Sequence, residues 1–202
     1  MRLSFVNSPG LHFLLWRCRI AAAKTQTTLT ERDCLARHAQ GRRRLVEIGV
    51  WHGVTTRRLR SAMAHDGVLF AIDPFPLSRF GFSWERLVAR GEVGRESHGD
   101  VRFLEMTSAQ AASQFDDICR EPLDFIFVDG EHSYVGLQSD WRLWSPRLKA
   151  GGIIALHDSR SLPGRRYHDN GSVRFTNEMI LPDKNFNVIE TVESLTVLER
   201  NT

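Results

Sequence analysis

Acidic and imidazole side chains follow two apolar runs of this sequence, and together they have the chemistry of a proton-transfer site. The run "FIFVDGEH" ends on Asp129 with His132 three residues later, and "IIALHD" ends on His157 and Asp158. An imidazole has an unperturbed pKa of about 6.5, so His132 is our candidate general base, and Asp129 and Asp158 are the candidate residues beside it. The structural alternative, that His132 only hydrogen-bonds the turn after Asp129, stays equally open.

A second group of residues has the types that hold a nucleoside. "VEIGVWHG" contains Glu47, Gly49 and Gly53, and such glycines let a ligand approach the backbone at the start of the next helix. Their spacing is not G-x-G-x-x-G, so a dinucleotide pyrophosphate fits less well. Asp73 ends the run "FAID" and can accept hydrogen bonds from both hydroxyls of a ribose. The structural alternatives are a tight strand-to-helix turn and a turn-forming aspartate before Pro74.

A third position pairs Thr107 with Ser108 after the run "VRFLEM". Their hydroxyls could meet an adenine edge, and they are equally suited to cap a helix.

These groups can meet only if the runs before them are neighbouring parallel strands. Short apolar runs alternate with segments long enough for helices, which predicts an α/β fold with a parallel sheet covered by helices on both faces. The last two runs predict an antiparallel hairpin. The predicted strands cover 44–50, 68–74, 101–106, 124–130, 151–158, 186–192 and 195–200, and the predicted helices cover 29–40 with Thr30 as N-cap, 55–65, 83–92, 108–120 and 134–150.

Composition restricts the class of protein. A chain of 202 residues that is 42% hydrophobic is expected to bury one core. The net charge of +3 is spread among acids, so no nucleic-acid partner is indicated. The three cysteines are an odd number without metal-like spacing, which favours a reduced, cytoplasmic chain.

The N-terminal segment 11–23 is apolar but is interrupted by Arg17 and Arg19. It is shorter than the roughly 20 apolar residues that span a membrane, so we predict a helix docked on the domain or on a partner subunit. We therefore divide the chain into a helical extension, 1–27, and a domain, 28–202. The apolar surface of this extension is compatible with a homodimer.

The motifs in this order resemble class I S-adenosylmethionine-dependent methyltransferases, in the branch of small-molecule O-methyltransferases related to catechol and macrolide-sugar O-methyltransferases. The resemblance spans about residues 28–199 and is carried by "VEIGVWHG", "AIDP", "FVDGEHSYVGLQSDWRLWSPRLKAGG" and "LHD". It implies a Rossmann-like sheet of seven strands in the order 3-2-1-4-5-7-6, with the last strand antiparallel. It also implies methylation of a small-molecule hydroxyl, such as that of a sugar, a phenol or a natural product.

The same resemblance implies which residues contact S-adenosylmethionine. The methionine and ribose pocket would be formed by Glu47, Gly49 and Gly53. Asp73 would hold the ribose diol, and Ser108 would lie near adenine. Thr107 departs from relatives that carry an acid before this serine. The complete implied set is Glu47, Gly49, Gly53, Asp73, Ser108 and Asp129.

Metal-dependent relatives hold a hard cation with three acids at the fourth and fifth strand ends. Here Asp129, His157 and Asp158 occupy these positions, and the imidazole weakens the case for magnesium while favouring manganese or zinc. We do not favour metal dependence.

Two other functions remain open on the same fold. A nicotinamide-dependent oxidoreductase would share the ribose-binding Asp73 but would lack its glycine fingerprint. A non-catalytic nucleoside-binding module is the other, because fold does not establish activity. Helix 11–23 and loop 159–178 are expected to shape the acceptor pocket, where Arg165 and Arg166 could attract an acidic acceptor.

Overall fold

A single mixed sheet organises the chain. The computed structural model describes residues 8–79, 81–161 and 171–201, and within them seven strands pair in the order β3-β2-β1-β4-β5-β7-β6. β7 runs antiparallel to both of its neighbours, so the predicted order and the antiparallel last strand are confirmed. The strands are β1 (Arg44–Ile48), β2 (Val68–Ile72), β3 (Asp100–Leu104), β4 (Leu123–Val128), β5 (Leu148–Leu156), β6 (Phe186–Val192) and β7 (Leu195–Arg200).

Helices cover both faces of this sheet. Alternate residues of a strand point to opposite faces, so Val46 joins a core with α5 and α6 whereas Leu45 joins a core with α2 and α3. β4 is buried along its whole length because it lies centrally in the sheet. The helices are α1 (Pro9–Arg17), α2 (Leu29–Ala39), α3 (Val54–Ala62), α4 (Trp84–Val93), α5 (Ser108–Ile118), α6 (Tyr134–Trp144) and α7 (Gly171–Phe175), which continues into a π-helical turn at Thr176–Ile180.

Several predicted boundaries differ from the structure, and two of the differences have a clear physical reason. The helix predicted over 134–150 ends at Trp144, because Pro146 has no amide hydrogen to continue it, and β5 already begins at Leu148. The N-cap of α2 is Thr28 rather than Thr30. Thr28 Oγ1 accepts from the amide of Glu31 and the Glu31 carboxylate accepts from the amide of Thr28, which is a capping box.

The N-terminal helix is also shorter than predicted, because Arg19 takes a positive φ of 61° soon after Arg17. α1 packs against α4 of the same chain, where Trp16 Nε1 donates to Glu92 Oε2 at 3.1 Å. No helix in the described ranges is long and apolar enough to cross a membrane.

Within the predicted loop 159–178, the chain is helical over 171–178, and residues 162–170 lie outside the described residues. Arg165 and Arg166, proposed above as acceptor contacts, lie outside the described residues.

Candidate functional site

A cavity of about 640 Å³ opens where β1, β2 and β4 end. Its volume is within the range of roughly 300–1,000 Å³ that is usual for small-molecule sites, and it lies beside the point where the strand order reverses. Five of the predicted site residues line it together: Gly49, Asp73, Ser108, Asp129 and His132.

Gly49 is required by the crossing of two backbones. It has a φ of +89°, and a Cβ at this position would lie 2.0 Å from the carbonyl oxygen of Asp129. The amide of Gly49 donates to the carbonyl of Ile72 at 2.9 Å. The glycine therefore lets the chain leave β1 between the ends of β2 and β4, which keeps the floor of the cavity open.

Gly53 has a different structural reason. It is the N-cap of α3 with a φ of +74°, and its Cβ would lie 3.0 Å from both the carbonyl oxygen of Ala89 and a methyl of Val93 in α4. Gly53 is absent from the described lining of the cavity. The structure thus accounts for this glycine by helix packing without invoking a ligand.

Asp73 holds the loop that follows β1. Its Oδ2 accepts from the amides of Val50 (3.0 Å) and Trp51 (2.9 Å), and its Oδ1 accepts from the amide of Phe75 (2.8 Å). A carboxylate offers about four lone-pair positions, so one acceptor position remains on Oδ1. Asp73 therefore supports the loop and still has room for one further donor.

Glu47 lies beneath the cavity rather than on its surface. Its side chain is completely buried, and neither carboxylate oxygen has a hydrogen-bond partner among the described residues. Burial raises the pKa of Glu47 well above its usual value, the nearby Thr56 hydroxyl opposes this effect, and Asp129 and Asp73 add to it. The resemblance assigned Glu47 to the cofactor pocket, whereas its carboxyl group is not part of the described cavity lining.

The predicted rim of four side chains is assembled, with two of them facing the cavity. His132 Nε2 lies 3.9 Å from Asp129 Oδ1 and its Nδ1 lies 3.8 Å from Asp158 Oδ2. Both distances exceed a hydrogen bond, so the half-buried imidazole lies between two carboxylates without being held by either. Asp129 and His132 line the cavity, while His157 and Asp158 lie behind them, buried.

His157 is a buried cation in this arrangement. Its Nδ1 lies 2.7 Å from Asp129 Oδ1, and its Nε2 lies 3.5 Å from Glu31 Oε2 on α2. Burial by itself would lower the pKa of His157, but Asp129 and Glu31 outweigh burial and raise it to about 10. The Glu31 carboxylate in turn has its pKa lowered to about 2, because His157, Thr28 and Ser194 overcome the opposing effect of burial.

The far end of the cavity is closed by the start of α5. Thr107 caps this helix through a capping box with Gln110, as the structural alternative predicted. Ser108 Oγ donates to Asp140 Oδ1 at 2.5 Å and accepts from Trp144 Nε1 at 2.8 Å. The Ser108 hydroxyl is therefore committed to holding α5 against α6, although it borders the cavity.

Sequence reasoning missed several residues of the lining. Asp140 carried a readable signal, since it is an acid on the apolar stripe of α6 that includes Leu137 and Trp144. The segment 24–26 carried none, because it is an irregular stretch held at the cavity by contacts distant in sequence, such as the hydrogen bond from the amide of Lys24 to His52 Nδ1. The missed lining residues include Lys24, Thr25, Gln26, Trp51, Glu131 and Asp140.

The family follows from comparison with known proteins. A family model described as a methyltransferase domain matches residues 46–159, which is more than half of the chain. This chain therefore belongs to that methyltransferase-domain family. The matched region contains all the strand ends that form the cavity.

Individual relatives are more distant. Protein y4gI of Sinorhizobium fredii, described as uncharacterized, is 28% identical over 155 residues, which is 74% of this chain and 16% of that protein. The chain thus spans about a sixth of the length of this curated relative.

Two solved structures show the same fold at low identity. The O-methyltransferase TomG of Streptomyces achromogenes, involved in tomaymycin synthesis and solved with SAM, has a TM-score of 0.66 and 16% identity, covering 96% of this chain and 88% of TomG. An rRNA methylase of Streptococcus thermophilus has a TM-score of 0.60 and 13% identity, covering 89% of this chain and all of the methylase.

Proposed function

We propose that this chain transfers a methyl group from S-adenosylmethionine to a hydroxyl oxygen of a small molecule. The observation that supports this most is the acid-lined cavity at the switch point of a methyltransferase-family sheet. TomG, which shares the fold, was solved with SAM.

The charge of the cavity suits this cofactor better than a dinucleotide. Four carboxyl groups line it, those of Asp73, Asp129, Glu131 and Asp140, against one described lysine, Lys24. S-adenosylmethionine brings a sulfonium and an ammonium against a single carboxylate, whereas a nicotinamide dinucleotide brings a pyrophosphate with two negative charges. An acid-lined cavity favours the first ligand and disfavours the second, in agreement with the absence of the G-x-G-x-x-G spacing.

The residues present fit the cofactor as follows. The remaining acceptor position of Asp73 suits a ribose hydroxyl, the loop that it holds would border the ribose and methionine, and Ala109 and Ser108 would border the adenine. When bound, S-adenosylmethionine supplies an electrophilic methyl group on its sulfonium. The chain's remaining tasks are to orient the acceptor oxygen and to remove its proton.

His132 has the position of the base. It lies on the cavity surface, and neither ring nitrogen is within hydrogen-bonding distance of the two nearest carboxylates. A proton taken by its free nitrogen would create an imidazolium between Asp129 and Asp158, and their charges would stabilise it. Asp129 and Asp158 therefore act by electrostatic support in this proposal.

The donor set Asp129, His157 and Asp158 does not fit a divalent cation in this arrangement. Both ring nitrogens of His157 face carboxylates, and the side chain is buried behind the cavity. A metal ligand needs a free lone pair on the imidazole, and His157 instead supplies a positive charge beside Asp129. The proposed reaction is accordingly independent of magnesium, manganese and zinc at these three residues.

The test combines binding and turnover. S-adenosylhomocysteine should bind the purified chain in calorimetry, with NAD as the comparison ligand, and labelled methyl groups should be transferred to small molecules of a lysate extract with or without chelator. Binding of NAD without binding of S-adenosylhomocysteine would favour the oxidoreductase alternative. Cofactor binding without transfer to any acceptor would support the non-catalytic module, and transfer to RNA or to nitrogen would overturn the acceptor class.

A further inference from the structure

A second cluster of metal-ligating side chains lies away from the cavity, between α2 and the edge strand β6. Cys34 and His38 are one helical turn apart on α2, and Glu190 reaches them from β6. Each offers a ligand atom, and these atoms all lie within 4.8 Å of one another. None of the three belongs to the described cavity lining.

We propose that Cys34, His38 and Glu190 form a zinc site that joins α2 to β6. A thiolate, an imidazole and a carboxylate are the ligand types that zinc accepts, whereas the sulfur argues against magnesium and calcium. This inference does not depend on the proposed methyl transfer.

The backbone brings the ligands to the same side. Residues four apart on a helix share a face, so Cys34 and His38 point together toward β6. The pairing of β6 with β7 shifts register between Val188 and Glu190, so the ladder is irregular next to Glu190. The carboxylate is 152 residues from His38 in sequence, so spacing along the chain could not have indicated the site.

The observed distances are close to those of a tetrahedral site. His38 Nε2 lies 2.8 Å from Glu190 Oε2. With zinc bonds of about 2.0–2.3 Å, two ligand atoms at the tetrahedral angle are about 3.3–3.6 Å apart. The His38–Glu190 contact would open by roughly half an ångström as zinc replaces the shared proton, and the sulfur would approach by up to about 1 Å.

The surroundings allow entry and charge balance. Cys34 is fully buried, while the side chains of His38 and Glu190 are 19% and 31% exposed, so the cluster opens to solvent on one side. Arg37 binds the other oxygen of Glu190 at 2.6 Å, which leaves Oε2 for a metal. Zinc has to displace the thiol proton of Cys34, and water can complete the coordination from the open side.

Cobalt provides a test that only a sulfur ligand satisfies. The metal-free full chain is titrated with Co²⁺, and we expect a thiolate-to-cobalt charge-transfer band that saturates at one equivalent and disappears when Zn²⁺ is added. The metal-ligating side chains at the cavity, which are Asp129, His132 and His157, include no thiol, so metal bound there gives no such band. Cys34→Ser should abolish the band, whereas the controls Cys18→Ser and Cys119→Ser should retain it.

Two further measurements keep the proposal testable if Cys34→Ser does not fold. Glu190→Gln, at a partly exposed position, should weaken cobalt binding by more than about 10-fold while circular dichroism stays unchanged. Zinc at about 100 times its Kd should raise the Tm of the wild-type chain by about 5–10 °C. A band that is missing in the wild type, or that persists in Cys34→Ser, or an unchanged cobalt affinity in Glu190→Gln, would overturn the site.

Discussion

Asp73 has two proposed roles at the end of β2: it supports the loop after β1 and it contacts the cofactor. Its removal should therefore affect both folding and binding. In Asp73→Ala the amides of Val50, Trp51 and Phe75 lose their acceptor. Hydrogen bonds to a buried charged group contribute about 1.5–3 kcal/mol each, and because Asp73 is only half-buried we take about 1 kcal/mol each. The free energy of unfolding should therefore fall by about 3 kcal/mol, which lowers the Tm by about 6–12 °C.

The same variant should bind S-adenosylhomocysteine about 1–3 kcal/mol more weakly, because the loop that borders the ribose is no longer held and its acceptor is gone. Thermal unfolding and calorimetry are measured in parallel. Asp66→Ala is the control, since this side chain is 65% exposed and forms an ion pair with the equally exposed Arg43. Weaker binding at an unchanged Tm would show that Asp73 does not stabilise the loop. Unchanged binding at a lowered Tm would show that Asp73 does not contact the cofactor.

Three further outcomes are expected. Gly53→Ala should lower the free energy of unfolding by about 1–3 kcal/mol, because the position has a positive φ and the new methyl group crowds α4, while the folded fraction keeps its affinity for S-adenosylhomocysteine. The control is Gly81→Ala, measured in the same urea titrations, because Gly81 has a φ of +79° but open space around it and so reports the cost of φ alone. His132→Gln should lower kcat by about 10²–10⁴-fold with cofactor affinity intact. A loss of cofactor affinity as large as the loss of kcat would show that His132 is not the base. Glu31→Gln should destabilise the chain by about 2 kcal/mol. Because the pKa of Glu31 is lowered, its contribution to stability is complete above about pH 4.5 and is lost as the pH falls toward 2. Because the pKa of His157 is raised, the contribution of the pair is complete below about pH 6.5 and is lost as the pH rises through 10. The stability difference from wild type should therefore be largest at about pH 4.5–6.5, and a flat pH profile would contradict the ion pair.

The sheet could be predicted from the sequence because its signals are local. Each central strand is a short buried run between turn residues, and β4 shows this along its whole length. The boundary at Trp144 was missed although Pro146 marks it, since Leu148 lies at helical spacing from Trp141 and Trp144 and so extends the apolar pattern of α6. The capping box of α2 was also readable, as Thr28 and Glu31 have the required spacing.

The candidate site was predicted by position but not by contact. Strand ends place Asp73, Asp129 and His132 on one edge, and they do line one cavity. Which groups each carboxylate already binds depends on folding: Asp73 is occupied by three amides, and Glu31 contacts His157 across 126 residues. No local pattern contains that information, because such pairs form only when helices dock on the sheet.

The carboxyl groups under this cavity show how the fold can maintain a negative site for a cationic ligand before that ligand arrives. Buried charge is costly unless it is compensated, and each acid here is treated differently. Three backbone amides hold Asp73, the imidazolium of His157 compensates Asp129, and Glu47, which has neither kind of partner among the described residues, has its pKa raised toward the neutral form. The charge of His157 in turn depends on Glu31, which α2 supplies from outside the cavity. Without that helix, His157 would lose Glu31, one of the three carboxylates that raise its pKa, and Asp129 would face the desolvation cost with weaker compensation. The docking of α2 is therefore part of the electrostatics of the site, although none of its residues is in the described lining.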